Sequence, residues 1–104
     1  MAHKNKIKGN RFEYEVRDMF IDKGIDCKRA YASDGRSLGL TEDVDVLATY
    51  NDIKYPIQCK RRKTISKVII PNENVFAQVI RADRGKTLAV IELDKLIDLI
   101  VNAK

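Results

Sequence analysis

The sequence has no tryptophan, one histidine, two cysteines and two prolines among its 104 residues. The single histidine and the two cysteines cannot provide the usual ligands of a structural zinc site, and the cysteines do not form a CxxC pair. No apolar run approaches the roughly 18 residues of a membrane span, and no signal-peptide pattern is present. We therefore expect a reduced protein that works in the cytoplasm.

The composition is that of a single basic globular domain spanning 1–104. Hydrophobic residues make up 44% of the chain, which argues against disorder and allows one packed core. The 20 lysines and arginines exceed the 15 acidic residues, so the net charge is +5. A surface of this charge favours an anionic partner such as nucleic acid.

Residues 43–60 alternate in polarity on both sides of Asn51-Asp52, a pattern that predicts two strands joined by a two-residue turn. Counting outward from this turn places Asp45 opposite Gln58 and brings Lys60 to the same side of the sheet. A carboxylate, an amide oxygen and an amine gathered there suit metal-assisted hydrolysis of a phosphodiester. The alternative is a polar hairpin face that is simply solvated.

Asp45, followed after the hairpin by Gln58-Cys59-Lys60, resembles the D…(E/Q)xK core of the PD-(D/E)XK nuclease superfamily. Residues 9–13, Gly-Asn-Arg-Phe-Glu, are similar to the G-x-x-x-E opening of archaeal-type, Hjc-like Holliday junction resolvases, and Ser33 matches the serine before that branch's catalytic Asp. The resemblance runs from about residue 6 to 92. It implies that the catalytic residues are Glu13, Ser33, Asp45, Gln58 and Lys60, and that Glu13, Asp45 and Gln58 hold Mg²⁺ or Mn²⁺.

The family usually has Glu at the position of Gln58. Gln keeps a carbonyl oxygen but removes one negative charge from the site. A pair of unit charges about 4 Å apart is worth roughly 4 kcal/mol at an effective dielectric near 20. We therefore expect weaker metal binding unless Glu13 or the scissile phosphate compensates.

The function implied by the resemblance is a Mg²⁺-dependent endonuclease that resolves four-way DNA junctions by two paired cuts. A homodimer would supply two active sites related by the junction's own symmetry. Two alternatives stay open: another small nicking or repair nuclease of the superfamily, or a branched-DNA-binding module with impaired catalysis. The source would be an archaeal cell or the host cell of a virus.

Basic residues near these motifs predict a DNA-binding surface. Residues 1–9 read as a basic, mobile N-terminal arm, with an ordinary solvated terminus as the alternative. The basic run 60–63 leaves the second hairpin strand and predicts a phosphate-binding rim, although such runs are often only solvated. The predicted DNA-binding residues are Lys4, Lys6, Lys8, Arg11, Arg29, Arg36, Arg61, Arg62 and Lys63.

The hydrophobic periodicities predict the element order αβββαβα, and the crossover rule then gives a mixed central sheet flanked by helices. This α/β order agrees with the restriction-endonuclease-like core that the resemblance implies. The predicted elements are a helix over about 10–23 with Asn10 as its N-cap, a strand over 25–31, the two hairpin strands, a helix over about 72–83, a strand over 87–93 buried on both faces, and a last helix from Asp94 that is a candidate dimer surface.

Overall fold

The computed structural model describes residues 2–31 and 34–103, with side chains described from Asn10 onward. The fold is α/β, as predicted, and is consistent with a restriction-endonuclease-like arrangement. Neither α-helix in these ranges is long and apolar enough to span a bilayer. The elements are α1 (Ala2–Asp22), β1 (Asp26–Arg29), a 3₁₀ turn (Gly35–Leu38), β2 (Val46–Tyr50), β3 (Ile53–Ile57), β4 (Gln78–Ile80), β5 (Leu88–Val90) and α2 (Leu93–Asn102).

The predicted hairpin is confirmed, with β2 and β3 joined by the two-residue turn Asn51–Asp52. Both turn residues have positive φ, 51° and 65°, the conformation of a type I′ turn, whose twist matches that of the strands. Tyr50 pairs with Ile53, and the ladder runs from there to Val46 and Ile57. β1 pairs with the other edge of β2, so β1, β2 and β3 form one antiparallel sheet.

α1 packs across this sheet and closes the core. Its apolar stripe buries Val16 and Phe20 against β1 and β2, and α2 adds Ile97 from the C-terminal end. Burial of apolar surface of this kind is the main favourable contribution to folding. The buried members of the core are Val16, Phe20, Ile25, Cys27, Val46, Ala48 and Ile97.

The helix predicted over 72–83 is wrong. The side chain of Asn72 accepts a hydrogen bond from the backbone N–H of Asn74, and the Asn72 carbonyl accepts one from Val75, so the segment begins as a turn. Asn side chains favour such local hydrogen bonds over a helix, and β-branched residues such as Val75 lose side-chain freedom in one. Gln78–Ile80 is instead the strand β4.

The mixed sheet is also wrong for the described residues. β4 and β5 pair antiparallel in a separate two-stranded sheet. Along the described residues, five strands therefore follow α1 in sequence before α2 begins. Residues 81–87 are too few for the crossover that a parallel pair requires. Leu88, with 60% of its surface exposed, shows that β5 is not buried on both faces.

The first helix begins earlier than predicted, at Ala2 rather than near residue 10. Asn10 therefore lies inside α1 and is not its N-cap. Lysine is a good helix former and no proline interrupts this part of the chain, so the helix can extend through Gly9. Residues 2–9 are helical, while the predicted mobility of this basic segment stays a prediction.

Candidate active site

Two carboxylates are buried among the residues whose side chains are described. Glu13 on α1 has 6% of its surface exposed, and Asp45, just before β2, has 8%. Carboxylates are seldom buried unless they are paired or hydrogen-bonded, because desolvation disfavours the charge. Their burial makes them candidates for a functional site, and both were predicted from the sequence.

Glu13 is held by Arg29 on β1. The Nε of Arg29 lies 2.9 Å from Oε1 of Glu13, and its Nη2 donates to Oδ1 of Asn10 at 2.8 Å. The guanidinium also lies over the ring of Tyr14, 4.8 Å from its centroid. Because these contacts come from two elements, the position of the Glu13 carboxylate is fixed by the packing of α1 on β1.

Asp45 is held by the chain that leaves β3. Its Oδ2 accepts the backbone N–H of Cys59 at 2.7 Å, while its own N–H donates to the carbonyl of Ile57 at 2.9 Å. In the hairpin register Ile57 lies opposite Val46, so this second hydrogen bond, which comes from Asp45, is shifted by one residue. The expected pairing of Asp45 with Gln58 is therefore wrong as a ladder pair, because the ladder ends at Val46 and Ile57.

The Cys59 thiol lies under the influence of both carboxylates. Burial raises its pKa to about 12, and the negative charges of Asp45 and Glu13 add to that effect. Because only a thiolate is a strong nucleophile or metal ligand, this thiol stays protonated and unreactive near neutral pH.

Gln58 and Lys60 line one cleft of about 480 Å³. The same cleft is lined by Phe12 and Val16 of α1 and by Val90 at the end of β5. Gln58 and Lys60 are both exposed, so their polar ends are accessible from solvent. The tertiary structure thus places these two motif residues, which are close in sequence, beside the helix that carries Glu13.

Asp45 does not itself line this cleft, but it is bonded to Cys59, which does. The Cys59 backbone therefore connects the buried carboxylate with the two exposed motif residues on either side. A reacting group in the cleft would meet Gln58 and Lys60 first.

Arg36 is engaged within its own turn. Its Nε donates to Oδ2 of Asp34 at 2.9 Å, and its backbone N–H donates to Oδ1. These hydrogen bonds lower the pKa of Asp34 and raise that of Arg36. The predicted contact of Arg36 with DNA stays a prediction, and the guanidinium would have to share its donors with Asp34.

The remaining predicted DNA-binding residues are distributed over two regions. Arg11 is exposed on α1, and Arg61, Arg62 and Lys63 are exposed in the irregular segment after β3. The side chains of Lys4, Lys6 and Lys8 lie outside the described residues, as does Ser33.

Sequence reasoning did not find the partners of the two carboxylates. Arg29 was assigned to DNA and Asn10 to a helix cap, whereas both contact each other beside Glu13. One signal was available: Arg29 alternates with Ile25 and Cys27, so it had to face the core and needed a buried partner. No sequence signal indicated the Cys59 amide.

The oxygen donors of this region fit a hard divalent cation. No group of three or more His, Cys, Asp or Glu side chains converges within the described residues. Mg²⁺, however, is commonly held by one or two carboxylates, with water and substrate phosphate completing its coordination. Two buried carboxylates with the Gln58 amide nearby match that pattern in ligand chemistry.

The family model described as archaeal Holliday junction resolvase (Hjc) matches residues 4–100. That range contains each position predicted to be catalytic. Such a family implies a nuclease that acts on Holliday junctions. No curated protein and no solved structure matches the chain.

Proposed function

This chain belongs to the archaeal Holliday junction resolvase family, and we propose that it is a metal-dependent endonuclease that cuts four-way DNA junctions by paired phosphodiester hydrolysis. The observation that carries the proposal is the pair of buried carboxylates, Glu13 held by Arg29 and Asp45 held by the amide of Cys59, which lies between Gln58 and Lys60 in one cleft. We place its action in the cytoplasm of an archaeal cell or of a virus's host cell.

Glu13, Asp45 and the carbonyl oxygen of Gln58 would hold Mg²⁺, with Mn²⁺ as a possible substitute. When bound, the ion supplies Lewis acidity toward the scissile phosphate and lowers the pKa of a bound water. The chain's own residues supply orientation and charge. Arg29 holds the carboxylate of Glu13, and the amide of Cys59 holds that of Asp45, so neither needs to reorganise when substrate arrives.

Lys60 would act on the substrate directly. It is exposed in the cleft that also contains Gln58, where its ammonium can donate to a phosphate oxygen or to the attacking water. A positive group placed there stabilises the negative charge that develops on the phosphate in the transition state. Ser33 is proposed to orient the same phosphate.

Two paired cuts call for two active sites, and we propose a homodimer. Large apolar side chains are exposed on three elements toward the C-terminus: Leu96 and Leu99 on α2, Val79 on β4 and Leu88 on β5. Exposed large apolar side chains on elements that follow one another in the chain are what we propose a second copy covers. Two copies would carry a charge of 2 × 5 = +10, which favours binding to a junction.

The exposed cations Arg11, Arg61, Arg62 and Lys63 would contact the phosphate backbone, together with the lysines of residues 2–9. Such contacts fix the position of the DNA without reading its sequence. Binding should therefore depend steeply on salt concentration.

Gln58 favours a second candidate, a branched-DNA-binding module with impaired catalysis, because it removes one of the site's negative charges. Another small nicking or repair nuclease of the same superfamily would retain cutting but would not discriminate between branched and linear DNA.

The experiment is cleavage of a labelled four-way junction beside a linear duplex of the same sequence, in Mg²⁺ and in Mn²⁺. Asp45→Asn serves as the control because it removes the charge and keeps an oxygen acceptor. Paired, symmetric nicks on the junction alone support the resolvase. Equal cutting of both substrates supports a general nuclease, and tight junction binding without cutting in either metal supports the binding module.

A further inference from the structure

A second cleft, of about 570 Å³, lies between α1, β1 and the 3₁₀ turn. Among the described residues, two tyrosines, three cations and a serine line it, and no carboxylate does. Its size is within the range of sites that hold a small organic ligand. The polar and aromatic lining residues are Tyr14, Arg17, Lys28, Arg29, Tyr31 and Ser37.

The second cleft adjoins the candidate active site through Arg29. This side chain donates to Glu13 and also lines the second cleft beside the ring of Tyr14. One residue therefore separates the carboxylate from the second cleft. A ligand bound there would occupy a cleft that shares Arg29 with the candidate active site.

The positive charge available to a ligand comes mainly from Lys28. Arg29 is paired with Glu13, and Arg17 is paired with Asp18 at 2.8 Å. Lys28 is exposed and has no ion pair within 4 Å among the described side chains. It is thus the cation of this cleft best able to take a phosphate.

Tyr31 combines an exposed ring with a hydrogen-bonded backbone. It has 81% of its surface exposed, while its N–H donates to the Ser37 hydroxyl at 3.0 Å. The turn that carries Ser37 is packed closely, since a Cβ on Gly35 would lie 2.2 Å from the carbonyl oxygen of Thr41. The backbone that carries the ring is therefore held to the turn, while the ring itself lines the cleft and stays accessible.

An exposed aromatic ring beside a lysine is the arrangement that holds an unstacked nucleotide, because the ring stacks on the base and the cation neutralises the phosphate. We propose that the second cleft binds one unstacked nucleotide of the DNA, with its base on Tyr31 and its phosphate on Lys28. This inference rests on the proposed function for the identity of the ligand. A four-way junction offers bases at its branch point that unstack readily, whereas a continuous duplex must first break a base pair. The cleft therefore contributes to the preference for branched over linear DNA.

The test uses the full chain and a four-way junction with 2-aminopurine at the branch point, in EDTA so that no cutting occurs. Wild type is expected to change the fluorescence of the probe, and Tyr31→Ala to abolish the change and weaken junction binding about tenfold. Tyr31→Phe keeps the ring and should behave like wild type. Lys28→Ala should weaken binding, and Lys86→Ala, an exposed lysine far along the chain on the β4–β5 connection, is its matched control.

The readout separates this inference from the nuclease proposal. If wild type cuts junctions but Tyr31→Ala gives the same probe signal and affinity as wild type, the nucleotide cleft is overturned and the nuclease stands. If wild type never cuts, a probe response that depends on Tyr31 and Lys28 still supports the cleft. A wild-type protein that binds the junction without any probe response overturns it. Should Tyr31→Ala fold poorly, Lys28→Ala and Tyr31→Leu decide by the same readout.

Discussion

The Nε atom of Arg29 lies 2.9 Å from Oε1 of Glu13, so a buried ion pair joins β1 to α1. The two side chains are 13% and 7% exposed, and Arg29 also donates to Asn10. The same ion pair therefore stabilises the packing of α1 on β1 and holds a carboxylate that we propose to be catalytic. The role of Arg29 is thus testable separately through stability and through cutting.

Arg29→Met should destabilise the protein strongly, because it leaves the Glu13 charge buried without this partner. Removing one member of a buried pair typically costs about 3–5 kcal/mol. Urea unfolding measures the loss. Arg29→Met combined with Glu13→Gln should recover much of it, and additive effects in that double-mutant cycle would contradict a coupled pair.

Asp45→Asn and Asp45→Ala should differ in stability. Asn keeps an oxygen that can accept the Cys59 N–H, whereas Ala leaves that amide without its acceptor, which costs about 1–3 kcal/mol if water does not replace it. Both variants should lose junction cutting and retain junction binding. Thermal unfolding and a gel-shift assay check this, and an Asp45→Asn variant that cuts like wild type would remove Asp45 from the site.

Stability should fall at alkaline pH, in part because of Cys59. Its pKa is raised from 9.0 to about 12 in the folded protein, so the folded state holds the thiol proton more tightly than the unfolded chain. That contribution is fully present below pH 9 and is lost as the pH rises toward 12. The pKa of Cys27 is raised to about 11, mainly by burial, and acts on stability in the same direction.

Urea unfolding of wild type and Cys59→Ala between pH 8 and 11 checks this difference. Other groups titrate in both proteins, so only the difference between them reports on the thiol. One proton changes the free energy of unfolding by up to about 1.4 kcal/mol per pH unit, and the variant should show the shallower decline. Parallel curves would contradict the assignment.

Gln58→Glu should strengthen metal binding, since it adds a carboxylate to the cleft shared with Lys60. About a third of the roughly 4 kcal/mol available to a charge pair near 4 Å would shift the metal requirement about tenfold. The measurement is the Mg²⁺ concentration for half-maximal junction cutting. Gln58→Ala is the matched control and should shift it upward, while unchanged values in both variants would remove Gln58 from the metal site.

The hairpin was predictable because it depends on local chemistry. Asn51 and Asp52 adopt positive φ readily, so the turn fixes the β2–β3 register without help from tertiary contacts. The stripe that includes Val16 and Phe20 indicated which face of α1 is buried. Over 72–83 the same kind of pattern was misleading, because Asn72 forms a local turn and the apolar residues that follow belong to a short strand.

The sequence by itself determined the α/β class, the hairpin and the motif residues Glu13, Asp45, Gln58 and Lys60, because periodicity, turn chemistry and motif order lie along the chain. Only the tertiary structure decided what holds the two carboxylates. Glu13 and Arg29 are 16 residues apart, and Asp45 and Cys59 are 14 apart. Such pairs form when packed elements bring distant side chains into hydrogen-bonding distance, and burial then requires every charge to find a partner.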